Sequence, residues 1–499
     1  MIVAWPPAPM CVAVMRFVLL FALTSLLGAC AVGPDYETPG LSLPDRWLGA
    51  SAEVAKRPDM AAWWRSFDDP ILTKLIERAI DGNLDAAAAK ARIREARATR
   101  AESAASLFPS VTGSASESRS QTATTTLAGF AAPATTSTLF EPGFDATWEL
   151  DLFGANSRTV EAARYGAEAA DEDLRSTLLT LVADVARYYL DARGSQARIA
   201  IAARNAAAQQ QTVNLTDKQF AAGTGNGADL AKAKGQALAT EANIPALNIS
   251  YRQTVNRLGV LLGLGPDAVV DLMARTRPLP VPRTSVATGI PADVVRSRPD
   301  VRKAERQLAQ ATAQIGEAEA QLYPSLTLSG SLGASAANLG DLAKPQFGTW
   351  SLGPSVSVPL FDAGARSAAV AARQAIRDQY FIAYKSAVQT AMEDVENALV
   401  ALSQQRVEGQ RLARSAENYA EAFRIATALY QQGSSSFLDV LDAERSLYSA
   451  QDTLKQSQIT LSEDYVALFK ALGGGWQGSI DSSRPEVVDQ NMGPHLRRQ

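Results

Sequence analysis

The sequence predicts a membrane protein of mixed α and β structure, in which each chain gives four strands to a β-barrel shared between copies and long helices form a tube or stalk. Three observations lead there. Four short segments alternate apolar and polar residues, the period of a strand with one oily and one wet face. Two long stretches, 155 to 220 and 365 to 432, contain no proline and carry apolar residues at threes and fours, the pattern of an amphipathic helix. The chain also repeats itself. "FPSV" at 108–111 recurs as "YPSL" at 323–326, "DLFG" ending at Gly154 recurs as "LFDAG" ending at Gly364, and Gly223 and Asp229 recur as Gly433 and Asp439.

The first element is an address. Residues 15–30, "MRFVLLFALTSLLGAC", place Arg16 before an apolar run and small residues, which is a secretory signal and too short to span a membrane. Residues 1–29 are read as the signal peptide, with Met15 as a possible start. "LLGAC" resembles the lipobox of bacterial lipoproteins, which implies cleavage before Cys30, a covalent lipid on Cys30 and, since Ala31 rather than Asp follows, delivery to the outer membrane. Residues 30–62 then form a lipidated N-terminal segment.

Residues 63–265 make the first repeat, with strands near 108–119 and 139–153, and 266–290 a linker. The second repeat, 291–477, has strands near 324–334 and 347–361, and 478–499 is a polar C-terminal tail. Proline at each helix-to-strand change removes a helical donor and pushes its predecessor to extended geometry. In "FDATWELDLFG", Phe144, Trp148, Leu150 and Leu152 share one parity and are the lipid-facing candidates. Asp145, Glu149 and Asp151 share the other and are candidates to face a water-filled lumen, where charge costs little. Trp148 is a candidate for the aromatic girdle. Four strands cannot close a barrel, and an open edge is not tolerated in lipid. Several copies must pool strands, and three would give twelve. Each long helical stretch could run on the order of 100 Å, too long for one compact domain.

Composition removes other classes. The formal net charge is -4, which gives no case for nucleic-acid binding. The two cysteines, Cys11 and Cys30, lie at the N-terminus, and the single histidine, His495, lies in a polar tail. Histidine-based nucleophile schemes and thiol metal sites therefore lack their parts, and no phosphate-cradling or dinucleotide loop is present. No enzyme, metal or cofactor is expected beyond the lipid on Cys30.

Several motifs in order then resemble the bacterial outer-membrane efflux protein family, in its lipoprotein branch (NodT type). They are "AVGPDYETP" after Cys30, "WWRSFDDPILTKLIERAIDGNLD" with "RIREAR", "IPADVVRSRPDVRKAERQLAQATAQIGEAEAQLYPSLTLSG" and "FLDVLDAERSLYSAQ", covering roughly 31 to 477. The resemblance implies a homotrimer with a shared twelve-stranded transmembrane barrel, a long periplasmic α-helical barrel and an equatorial region. It implies the exit duct of a tripartite pump, passively exporting drugs or other toxic small molecules. The implied partners are a periplasmic adaptor, an inner-membrane RND-type transporter and outer-membrane lipid. An exit duct for type I protein secretion and a non-channel periplasmic coiled-coil lipoprotein are the alternatives.

One stretch is a candidate gate. In "YQQGSSSFLDVLDAERS", Asp439 and Asp442 stand at i, i+3 and share a helical face. Acids there could simply cap and solvate a helix start. Alternatively, three copies would gather six carboxylates about one axis and favour cations. The family resemblance implies the second reading, a periplasmic iris, with Asp229 as the first-copy equivalent and Tyr430 helping to tie the closed state. Some relatives carry an arginine latch just after the turn. Ser435 stands there in this chain, so closure is expected to rest on other contacts.

Overall fold

The computed structural model describes residues 31–40, 43–48, 60–123, 125–127, 130–132, 134–281, 291–477 and 481–483. Cys11, Met15, Arg16, Cys30 and His495 lie outside the described residues. The chain divides into two compact units. One comprises Met1–Pro39, Glu95–Ala169 and Ala304–Tyr384, the other Gly40–Arg94, Ala170–Lys303 and Lys385–Gln499.

The first unit holds the sheet. Its strands are β1 (Ser110–Thr122), β4 (Thr135–Leu150), β5 (Ser325–Ala334) and β6 (Gly348–Ser357), antiparallel throughout in the order β1-β4-β5-β6. Between β1 and β4, where the sequence reads as a polar loop, a separate two-stranded ribbon forms from β2 (Thr125–Leu127) and β3 (Phe130–Ala132).

The register sorts the side chains. Residues directly opposite in a sheet share a face. Phe144 stands opposite Gly113 and Leu332, Leu332 opposite Trp350, Leu150 opposite Leu326, and Leu326 opposite Val356. One face is therefore apolar. The other carries Thr112, Asp145, Ser331 and Ser351 in one row, with Thr147, Ser329, Glu149, Thr327 and Ser355 in the neighbouring rows. Among the described residues nothing covers the apolar face: Phe144 is 63% exposed, Leu332 64%, Leu352 70% and Trp350 77%. The apolar band ends where Glu117 comes opposite Phe140 and Arg119 opposite Thr138. From Leu150 to Phe140 a strand tilted by about 40° rises roughly 25 Å, the height of a lipid-facing barrel band.

Two positions in "FDATWELDLFG" depart from the sequence reading. β4 ends at Leu150, so Asp151 and Leu152 have left the sheet. Asp151 instead accepts hydrogen bonds from the backbone N–H groups of Asn156 at 3.0 Å and Ser157 at 2.7 Å. A carboxylate satisfies orphan donors at a helix start better than water does, and that competes with continued pairing. Trp148 stays in the strand, and its indole N–H donates to the Leu107 carbonyl at 3.1 Å.

Glycines at φ +83° (Gly154) and +85° (Gly364) turn strand into helix, a conformation that side chains with a Cβ resist. Behind them run the 67-residue helices Ala155–Ala221 and Ala365–Gln431, each about 100 Å long at 1.5 Å per residue. In chain order the α-helices are α1 (Pro70–Gly82), α2 (Leu84–Ala105), α3 (Ala155–Ala221), α4 (Gly227–Leu261), α5 (Val270–Ala274), α6 (Pro291–Ser297), α7 (Pro299–Ala320), α8 (Ala365–Gln431) and α9 (Phe437–Ala471). Among the described residues no helix is long and apolar enough to cross a membrane.

At the start of the first unit, buried Arg158 fixes the segment that follows residue 30. It donates to the carbonyls of Val32 and Gly33 at 3.2 Å each and pairs with Asp35 at 2.8 Å. The second unit is built on an apolar core that includes Trp63, Leu72, Ile76, Leu178, Leu258 and Phe469. A fully buried guanidinium, Arg193, sits inside it and donates to Tyr189 Oη at 3.1 Å, Gln196 Oε1 at 2.7 Å and the Arg275 carbonyl at 2.8 Å. The stretch read as a linker contributes to this core. Val269 and Met273 are buried, and the Met273 carbonyl accepts from Gln196 and Tyr251.

Candidate functional site

The candidate gate residues lie at the tips of two helical hairpins, both in the second unit. The tips are built alike because their sequences repeat. Gly223 and Gly433 sit at φ +72° and +74°, and each donates to the carbonyl three residues back, Phe220 and Tyr430, at 3.0 Å. Each turn then hands over to a capped helix. Asn226 Oδ1 accepts from Ala228 N at 2.6 Å at the start of α4. At the start of α9, Ser436 and Asp439 form a capping box.

That box uses the Asp439 carboxylate heavily. Oδ2 accepts from Ser435 Oγ at 2.7 Å, Ser436 Oγ at 2.8 Å and Ser436 N at 3.0 Å. These donors, the Ser435 hydroxyl foremost, hold its pKa below the ordinary aspartate value, so it is ionised across the neutral range. Ser435 supplies the shortest of the three bonds. Asp442 lies one turn on and is exposed.

The two tips are tied together by contacts the charge pattern does not reveal. Tyr430 Oη donates to Gln219 Oε1, bridging α8 to α3. Burial, and then the Asp229 carboxylate, raises the Tyr430 pKa, which keeps the phenol a donor. Its ring packs 5.7 Å from that of Phe437. Phe437 in turn joins Val213, Leu230, Ala233, Ala237 and Leu441 in a small apolar cluster drawn from α3, α4 and α9. Just beyond it on α9, Glu444 is buried and bonded by Tyr448 Oη at 3.0 Å, and burial raises its pKa.

Comparison with known proteins gives this geometry a context. Residues 75–264 and 290–474 match the model described as outer membrane efflux protein. The chain belongs to the outer membrane efflux protein family. The chain is 36% identical over 462 residues to nodulation protein T of Rhizobium leguminosarum bv. trifolii, covering 90% of this chain and 96% of that one. It is 32% identical over 490 residues to outer membrane protein OprJ of Pseudomonas aeruginosa, covering 94% and 97%. The solved outer-membrane channel OprN superposes with a TM-score of 0.85 at 34% identity, over 90% of this chain and all of that one. The protein is thus an outer-membrane efflux channel, and the two-faced sheet and the long helices are its barrel and its periplasmic tunnel.

In this channel protein the structure brings Tyr430 and Asp229 close enough to interact, whereas Asp439 and Asp442 stand exposed on α9. Within one chain Asp439 acts as a helix cap, and a carboxylate ring requires further copies. Gln219, Phe437 and Leu230 were not singled out from the sequence. A signal for Phe437 existed: the counterpart position in the first repeat is Gly227, and an aromatic there breaks the repeat. Gln219 carried none, because a glutamine on a helix of many glutamines has no pattern to stand out from.

Proposed function

We propose that three copies of this chain form the exit duct of a tripartite efflux pump, passing small molecules through one shared barrel with no chemistry of the duct's own. The observation that carries this is the sheet: among the described residues one face is apolar and uncovered, one face is polar, and both outer strands, β1 and β6, are unpaired along their edges. Lipid supplies no partner for edge N–H and C=O groups, so the edges must meet those of other copies. β1 and β6 run in opposite directions in the sheet, so the edge of one copy meets the next in antiparallel pairing, and three copies give an even number of strands.

On this reading Asp145 and Glu149 line the lumen, and Phe144, Trp148 and Leu150 meet lipid. Cys30 carries the lipid anchor, next to the segment that Arg158 holds down. A periplasmic adaptor and an inner-membrane RND-type transporter complete the pump, and no metal or other cofactor takes part. The hairpin tips form the periplasmic gate, tied by Tyr430–Gln219 and the Phe437 cluster, with Asp439 and Asp442 giving it cation preference. The test is an outer-membrane fraction run unheated and heated on a denaturing gel, followed by reconstitution in a planar bilayer. A heat-modifiable trimer that conducts ions is expected. A monomer without conductance would remove the proposal.

A further inference from the structure

One aromatic pair at the foot of the sheet has a repeat that a single chain cannot complete. Where β4 leads to α3 and α7 leads to β5, Phe153 and Tyr323 stack with ring centroids 4.8 Å apart and planes 19° apart. They lie on the β4–β5 register continued three residues past Leu150 opposite Leu326. Tyr323 opens "YPSL", and its counterpart in the first repeat is Phe108 of "FPSV". Phe153 precedes Gly154, and the counterpart aromatic before Gly364 is Phe361, with Asp362 and Ala363 interposed. Phe108 and Phe361 are therefore the repeat of the stacked pair. They stand at the feet of β1 and β6, the two outer strands, and neither is covered: Phe108 is 69% exposed, Leu360 92% and Phe361 91%.

We propose that Phe361, with Leu360 beside it, seats Phe108 of the next copy, stapling each seam between chains at the end of the barrel where the helices begin. The occupant of this surface is a second copy of the chain, and the inference rests on the shared barrel proposed above.

Setting Phe108 opposite Phe361 fixes the register of the seam, and three independent requirements agree with it. It lays Thr112 opposite Ser357 and Gln121 opposite Gly348, so all ten residues of β6 find partners within β1. It puts Gly113 opposite Val356 and Ala115 opposite Pro354, which keeps the apolar parities of both strands on one face; a slip of one residue would reverse them. Finally, within one chain Ser110 is level with Gly353 through β4 and β5, whereas across the seam it is level with Pro359, a stagger of six residues. Closing twelve strands at a tilt of about 40° requires roughly five residues of stagger for every four strands.

Disulfide trapping tests the staple. No cysteine follows Cys30, so introduced thiols have no competitor in the body of the chain. Phe108→Cys with Phe361→Cys, oxidised in native outer membranes, should convert most of the protein to covalent dimers and trimers on a non-reducing denaturing gel. Phe153→Cys with Tyr323→Cys should form its bond within a chain and run as monomer. A heat-modifiable trimer with no inter-chain bands overturns the staple and leaves the shared barrel standing, as does reaction of Phe361→Cys with a lipid-dissolved maleimide, which would place that rim in lipid. Absence of any trimer in the parent chain refutes the shared barrel itself. Should the double variant fail to accumulate, co-expressed single-cysteine chains with distinct tags should give mixed dimers, and their absence overturns the proposal equally.

Discussion

Removing one oxygen atom tests whether the hairpin tips are a latch. Tyr430→Phe deletes the hydroxyl that donates to Gln219 Oε1 and leaves the ring against Phe437. A neutral hydrogen bond of this kind contributes about 1 kcal/mol net. If the tips of three chains open together, the closed state loses about 3 kcal/mol, a shift of roughly two orders of magnitude in the closed-to-open ratio. If each tip opens alone, the shift is about fivefold per chain. Single-channel recording in a planar bilayer reads the ratio directly as open probability. Gln219→Ala should give a similar increase. The double variant should add no more than a few tenths of a kcal/mol beyond either single change, because both remove the same bond. Unchanged open probability in Tyr430→Phe, or full additivity with Gln219→Ala, would show that the bond does not hold the tip.

Three further outcomes follow from the geometry. Phe144→Arg puts a charge on the apolar face and should cost about 2–4 kcal/mol of barrel stability, whereas Asp145→Arg on the polar face should fold and alter ion selectivity; heat-modifiability and reversal potential read the two, and the opposite ranking would invert the face assignment. Asp439→Ala with Asp442→Ala should raise conductance and weaken cation preference, and unchanged values for both would exclude a carboxylate gate. Burial raises the Glu444 pKa, so its contribution is fully present below the ordinary glutamate value and is lost as pH rises through the folded-state value. Thermal unfolding of the helical part should therefore show a stability decline above the ordinary glutamate range that Glu444→Gln flattens.

How much of this was legible in the sequence depends on how far each signal is set by the chain's own neighbours. The sheet was legible because alternation along β4, β5 and β6 reports two different solvents, and the period survives although no core forces it: Phe144 and Leu332 are kept apolar while exposed in the single chain. The end of β4 was not legible. Asp151 and Leu152 continue the alternation, but the free N–H groups of Asn156 and Ser157 claim the carboxylate, and a local cap overrides a period of two. The sequence places a linker at 266–290, yet Val269 and Met273 within it are core, and the Met273 carbonyl is held by Gln196 and Tyr251 on the neighbouring helices. At the tips the spacing of Asp439 and Asp442 was visible, and Phe437 stood out only as an aromatic where the first repeat has Gly227, while Gln219 and Leu230 were not visible. Gln219, Leu230 and Phe437 act through partners on other helices, and such partnerships leave no local period. The repeat is the one sequence signal that reaches across chains. Phe153 stacks on Tyr323 inside a chain, and their counterparts in the other repeat, Phe361 and Phe108, are left exposed at the two outer strands.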